Sequence, residues 1–135
     1  MKRPYNEVAR IAAEAWNTML HIEGINVVGS WGVSKKWVLE YRGMPSLALE
    51  VDGTQFTGVV IISLNEAKDY YEVRLTEDNP LLLDDNSPIK QTVTDVFFDY
   101  LGRTIDQLVE RPLGMSDEQY NEIASAHTIK RFNGQ

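Results

Sequence analysis

Four carboxylates recur in the second half of the chain at steps of four, seven and four: Asp95, Asp99, Asp106 and Glu110. On an α-helix, at about 100° per residue, they fall within roughly 60° of one another. Val93, Phe97, Tyr100, Leu101, Ile105 and Leu108 fall on the opposite side. The pattern predicts an acidic row along one helix, interrupted by Arg103, with neighbours about 6 Å apart across each four-residue step. A row of that kind is suited to compete with phosphates for a basic, nucleic-acid-handling protein. Asp84 and Asp85, in the preceding loop, extend the expected partner-binding set. The structural alternative is the solvated face of an amphipathic helix.

Other chemistry is thinly represented. The chain has no cysteine, which excludes disulfides, thiolate zinc sites, iron–sulfur clusters and cysteine nucleophiles. Its two histidines, His21 and His127, stand apart from any local Ser/Asp arrangement, and a structural role is expected for both. No HExxH, GxSxG, GxGxxG or P-loop pattern is present. Asp78, Asn79, Asp84, Asp85 and Asn86 gather hard oxygen ligands in one loop, as calcium or magnesium would require. The loop lacks the mid-loop glycine and closing glutamate of an EF-hand, and Asx residues equally open turns. The expectation is a protein with no catalytic residues, no cofactor and no metal.

The elements that must position these residues follow from periodicity. Val8, Ile11, Ala12, Ala15, Trp16, Met19 and Leu20 mark an amphipathic helix over 5–23, with Asn6 as its cap and Gly24 after its end. From 25 to 76 the period becomes two. Strands are expected around Ile25–Trp31, Trp37–Tyr41, Leu47–Val51, Phe56–Leu64 and Tyr71–Leu75, the fourth apolar on both parities as a central strand would be. Gly29 and Gly32 read as a bend in the first of these, and Trp31, Lys35, Lys36 and Trp37 as an exposed turn between aromatic strands. Arg42-Gly43-Met44-Pro45 and Asp52-Gly53 are turn sequences. Short connections imply an antiparallel meander.

A loop follows at 77–86, whose Leu81-Leu82-Leu83 either closes the core or stands as an apolar anchor rimmed by acids. Ser87 then reads as a cap, Pro88 as a first helical residue, and the long acidic helix runs to Arg111. Ser116-Asp117-Glu118-Gln119 has the form of a capping box for a short terminal helix. The expected fold is a two-layer α+β domain over 1–112, with helices on one sheet face. A helical tail over 113–135 would pack on the same domain or on a second copy. Trp16, Leu49, Val60, Ile62, Val73, Phe97 and Leu101 are the expected core.

Composition sets the outer bounds. A chain of 135 residues with 43% hydrophobic and 24% charged side chains is ordinary for one globular domain. The longest strongly apolar run, Val59–Ile62, is far short of the roughly 20 residues a membrane helix needs. No apolar stretch follows the basic N-terminal residues, so a signal peptide is not expected and the cytoplasm is the expected location. Net charge is −7, and residues 66–122 hold fourteen acidic side chains against five basic ones. That balance argues against direct binding of nucleic acid or anionic membrane and favours a basic partner.

Trp31-Gly32-Val33-Ser34-Lys35-Lys36, Tyr41-Arg42-Gly43-Met44-Pro45, Val51-Asp52-Gly53 and Gly58-Val59-Val60-Ile61-Ile62-Ser63-Leu64-Asn65 together resemble small proteins carried by phages and conjugative elements of gut bacteria. Some of those are inhibitors of RNA-guided nucleases, the anti-CRISPR class. The resemblance covers residues 25–110, rests on strand and turn residues, and carries over no site residues. It implies a host-directed inhibitor. Two other functions stay open: a small-ligand binder or enzyme with a pocket between sheet and helices, using Tyr70, Tyr71, Arg74 and the loop acids, and an assembly component of a phage or mobile-element particle.

Overall fold

The apolar spacing near the N-terminus produces α1 (Tyr5–Glu23), which buries Val8, Ile11, Ala12, Ala15 and Met19. Pro4, rather than Asn6, occupies its N-cap position. Gly24 ends it with φ at 90°, and its N–H returns to the Leu20 carbonyl at 3.0 Å. Only glycine takes that conformation without steric cost. The structure is a computed structural model, which describes residues 4–77 and 83–110. No helix among those residues is long and apolar enough to cross a membrane.

Gly24 turns the chain directly into α2 (Ile25–Ser30), where a first strand was expected. Val27, Val28 and Trp31 satisfy both a strand and a helical reading at this length. The helical one prevails because it sends all three into the core, where Trp31 is fully buried. Tertiary burial, at about 1.5–3 kcal/mol for a large apolar side chain, outweighs a difference in local propensity of tenths of a kcal/mol. Trp31 is thus a core residue and no part of an exposed turn.

The remaining strands form a five-stranded antiparallel meander in sequence order: β1 (Lys35–Tyr41), β2 (Met44–Asp52), β3 (Thr57–Asn65), β4 (Tyr70–Thr76) and β5 (Gln91–Val96). The β1–β2 turn is Arg42-Gly43, both with positive φ, as a two-residue hairpin linking right-twisted strands requires. Asp52 pairs with Thr57, so Asp52-Gly53 opens a four-residue loop instead of a tight turn.

β3 is central and apolar on both parities, as read from sequence. Val60 and Ile62 join Leu47, Leu49, Val51, Val73 and Leu75 in the core shared with the three helices. Val59 and Ile61 join Ala48 and Tyr41 in a second cluster, against which Trp37, Leu39, Leu83 and Ile89 pack. The same face carries polar pairs: Ser46 and Ser63 share a 2.7 Å hydrogen bond, and Arg74 meets Glu72 at 2.6 Å. Arg74 therefore lies on the face away from the helices, because its register partner is Ile61.

The long acidic helix does not form. Residues 91–96 are β5, a 3₁₀ turn covers Phe98–Tyr100, and only Leu101–Val109 is helical, as α3. Thr92, Val93, Thr94 and Val96 are β-branched and fit a pleated edge better than a helix. Ser87 caps no helix; its hydroxyl accepts the Asp84 N–H at 2.9 Å in a turn. The terminal helix expected from Ser116, and the whole of 113–135, lie outside the described residues.

Candidate functional site: an acidic aromatic groove

Breaking the expected helix distributes its four carboxylates between two environments. Asp106 is buried and accepts the Trp31 indole N–H at 2.8 Å. Glu110 is buried and accepts the Thr54 N–H at 2.7 Å, while the Thr54 hydroxyl donates to the Glu110 carbonyl at 2.7 Å. The Val109 carbonyl receives the Gln55 N–H at 2.8 Å. A β-carbon on Gly53 would sit 2.3 Å from that carbonyl oxygen, so glycine is what lets the loop reach the helix end. Asp106 and Glu110 are thus fasteners between α3, Trp31 and the β2–β3 loop, and they do not form a row with Asp95 and Asp99.

Asp84 and Asp85 are exposed but engaged locally. Asp84 Oδ1 accepts the Asn86 N–H at 2.8 Å, and Asp85 Oδ1 accepts the Arg42 N–H at 2.8 Å across the sheet's end. The loop acids act as turn formers in this arrangement. Among the described residues no group of three or more metal-ligating side chains converges, and Asp78 and Asn79 of the expected cation loop lie outside them. His21 is exposed in the last turn of α1, and His127 is outside the described residues.

Asp95 and Asp99 instead border a surface that sequence reasoning missed. The sequence pattern puts Phe97 and Tyr100 on the apolar side of a helix, yet Phe97, Phe98 and Tyr100 are 53%, 61% and 54% exposed. Phe97 packs edge-on against Tyr70 at 4.9 Å between ring centroids, and tilts against Tyr100 at 6.5 Å. A groove of about 570 Å³ runs beneath these rings, lined by Glu14 and Thr18 of α1, by Leu64, Lys68, Asp69, Tyr70 and Tyr71 around the β3–β4 turn, and by Phe97 and Phe98.

The backbone is deformed on both banks. Asp69 and Asp95 hold φ at 58° and 59°, in the left-handed region, which costs a non-glycine residue roughly 1 kcal/mol. Pairing of β4 with β5 shifts register between Tyr71 and Val73, so β5 carries a bulge that includes Asp95. Bulges bend a strand and re-aim its side chains, and here the re-aimed segment is Asp95 to Tyr100. The missed signal was the Phe-Phe-Asp-Tyr run directly after a β-branched stretch, where an edge strand must end.

The groove's potential is negative. Burial raises the Tyr71 phenol above its ordinary value, and the charges of Glu14 and Asp69 raise it further. Lys68 is the opposing cation, at 3.9 Å from Asp95 with both side chains more than half exposed, a pair of small energetic weight. Glu14 meets Arg10 at 2.9 Å at the surface. On the sheet's other face Glu72 behaves oppositely. Burial opposes its ionisation, but hydrogen bonds from Asn65 and Arg74, with the charges of Arg74 and Lys68, hold its carboxyl below the usual range.

Exposed π-faces beside carboxylates provide two complementary attractions for a cation: the ring quadrupole and direct charge. Comparison with protein-family models, curated proteins and solved structures finds no match for this chain.

Proposed function

We propose that the protein is a non-enzymatic binding module whose acidic aromatic groove holds a basic segment of a nucleic-acid-handling protein, in the manner of an inhibitor of an RNA-guided nuclease. The observation that carries this reading is the exposure of Phe97 and Phe98 in a groove that Glu14 and Asp69 also line, with Tyr100 packed on Phe97 and Asp95 paired with the groove's Lys68. Exposed aromatic residues surrounded by charge are the usual anchors of protein interfaces, and complementary charge speeds and selects the encounter. A net charge of −7 adds long-range attraction for a basic surface. Asp95 and Asp99, both exposed, are its proposed contact carboxylates; Asp106 and Glu110, buried and hydrogen-bonded, serve stability instead.

Calorimetric titration with an arginine-rich peptide at low and high salt tests the groove. Binding should weaken with salt and with Asp95→Asn plus Asp99→Asn; an identical response by wild type and variant would remove the groove from the interaction. Competition between this protein and DNA for a guide-loaded nuclease tests the partner class, and DNA binding unaffected by a large excess of the protein would reject it. The rival reading, a ligand pocket between sheet and helices, is weakened because Met19, Trp31, Leu49, Val60, Ile62 and Ile105 fill that interface. Of its proposed residues, Tyr70 and Tyr71 line the groove, whereas Arg74 faces away.

A further inference from the structure

The two edges of the sheet differ. β5 is bent by its bulge and holds Asp95 at positive φ, deformations that keep a sheet edge from accepting another strand. β1 pairs with β2 over all of its residues, Lys35 to Tyr41, without a shift in register. Among the described residues no strand lies on its other side. The two-residue turn makes Tyr41 and Met44 a hydrogen-bonded pair. Alternation then directs the N–H and C=O of Trp37, Leu39 and Tyr41 towards β2, and those of Lys36, Val38 and Glu40 outward.

Side chains alternate in the same way. Val38 packs on the core shared with the helices, and Lys36 lies over the Trp16 ring of α1 at 4.2 Å, so Lys36, Val38 and Glu40 share the helix-bearing face. Trp37 and Leu39 pack against the cluster on the other face. Trp37, Val38 and Leu39 are only half-buried, and three large apolar residues in a row thus reach the edge. A groove of about 520 Å³ runs beside it, between β1 and the Tyr5, Ala9, Ala13 and Trp16 side of α1. Side chains of an added strand have room there.

The charges select the occupant. An antiparallel copy of β1, related by a two-fold axis at Val38, sets residue 36 opposite 40, 37 opposite 39 and 35 opposite 41. The strand pairs over its full length, and its outward-facing residues 36, 38 and 40 meet one another, as ladder hydrogen bonds require. Lys36 faces Glu40 of the second copy at both ends, and Trp37 faces Leu39. An axis at Lys36 or at Glu40 would instead bring like charges together. We infer that β1 joins β1 of a second copy in this register, forming a two-fold dimer with one continuous sheet. Lys35 and Lys36 discourage pairing with an arbitrary strand, and Glu40 supplies the matching charge that a second copy brings.

Sedimentation equilibrium of the full chain, from micromolar to millimolar concentration, tests the dimer. A monomer–dimer equilibrium is expected. Lys36→Glu and Glu40→Lys should each weaken it at least fivefold, because two attractive cross-strand pairs become repulsive. An equimolar mixture of the two variants should associate within threefold of wild type, since each supplies the charges the other lacks. Val38→Pro removes an outward N–H without removing a β1–β2 hydrogen bond and should abolish association, with circular dichroism checking the fold of every variant. Amide exchange at Lys36 and Val38 should slow at least tenfold from dilute to concentrated chain. Monomer mass at millimolar chain, unchanged association in both charge variants, no recovery in their mixture, or exchange at Lys36 and Val38 that ignores concentration would each overturn the inference.

Discussion

The α3 end and the β5 end each received two carboxylates of one sequence pattern, and they treat them in opposite ways. At the α3 end, Asp106 and Glu110 are 3% and 1% exposed and hydrogen-bonded to Trp31 and Thr54. At the β5 end, Asp95 and Asp99 are exposed beside three exposed aromatic rings. Identical spacing therefore says little about role until the backbone between the residues is known. The contrast assigns structural work to the buried pair and leaves the other pair at the surface.

Breaking the buried pair should have the largest effect. Glu110→Ala removes a charged acceptor from the Thr54 N–H and is expected to destabilise by about 2–3 kcal/mol; Asp106→Ala leaves the buried Trp31 N–H without its partner and should cost about 2 kcal/mol. Urea unfolding of both variants measures this, and losses under 0.5 kcal/mol would show the fasteners to be incidental. Asp95→Asn and Asp99→Asn should each change stability by less than about 0.5 kcal/mol.

On the exposed side, Phe98→Ala should weaken binding of the arginine-rich peptide about tenfold, corresponding to about 1.4 kcal/mol, with little loss of stability. Peptide affinity that tracked Asp106→Ala and ignored Phe98→Ala would reverse the assignment of the two ends.

A finer comparison concerns pH. Tyr71 has its folded pKa raised, so its contribution to stability is complete below the ordinary tyrosine value of 10.0 and is lost as pH rises through the folded value. Asp69→Asn removes a negative neighbour and should move the Tyr71 titration down towards 10.0, read from phenolate absorbance; no movement would mean that the groove lacks the negative potential assigned to it.

Glu72 has its pKa lowered, so its contribution is complete above the ordinary 4.5 and is lost as pH falls through the folded value. Glu72→Gln should accordingly lower stability at neutral pH and have the smallest effect of the set near pH 3. A penalty that persisted undiminished at pH 3 would show that the charge of Glu72 is not what Arg74 and Asn65 recognise.

Much of the α+β architecture was legible in the chain. The helix over 5–23, the turn at Arg42-Gly43 and the two-sided apolar character of β3 are local patterns, and they form as read. Two failures have one cause. Ile25–Trp31 and Gln91–Tyr100 each satisfy the helical and the alternating period over a short span, so their state depends on what they meet in space. Ile25–Ser30 becomes helical because Gly24 turns it onto the core; Gln91–Val96 becomes a strand because β4 offers a free edge. The candidate groove was illegible for the same reason, since it exists only where the β5 bulge brings Asp95 and Phe97 to the β3–β4 turn.

The sheet's connectivity also bears on the order of folding. Among the described residues each strand pairs only with its sequence neighbours, so the hairpins from β1 to β4 close over short lengths of chain. The α3 fasteners reach much further, joining residues 56 and 75 positions apart. Contacts of that span carry a larger closure entropy and are expected to form after the rate-limiting step. Asp106 and Glu110 would then govern how long the native state survives and leave the speed of its formation unaltered: their replacement should steepen escape on the unfolding arm of a stopped-flow chevron while the folding arm stays in place.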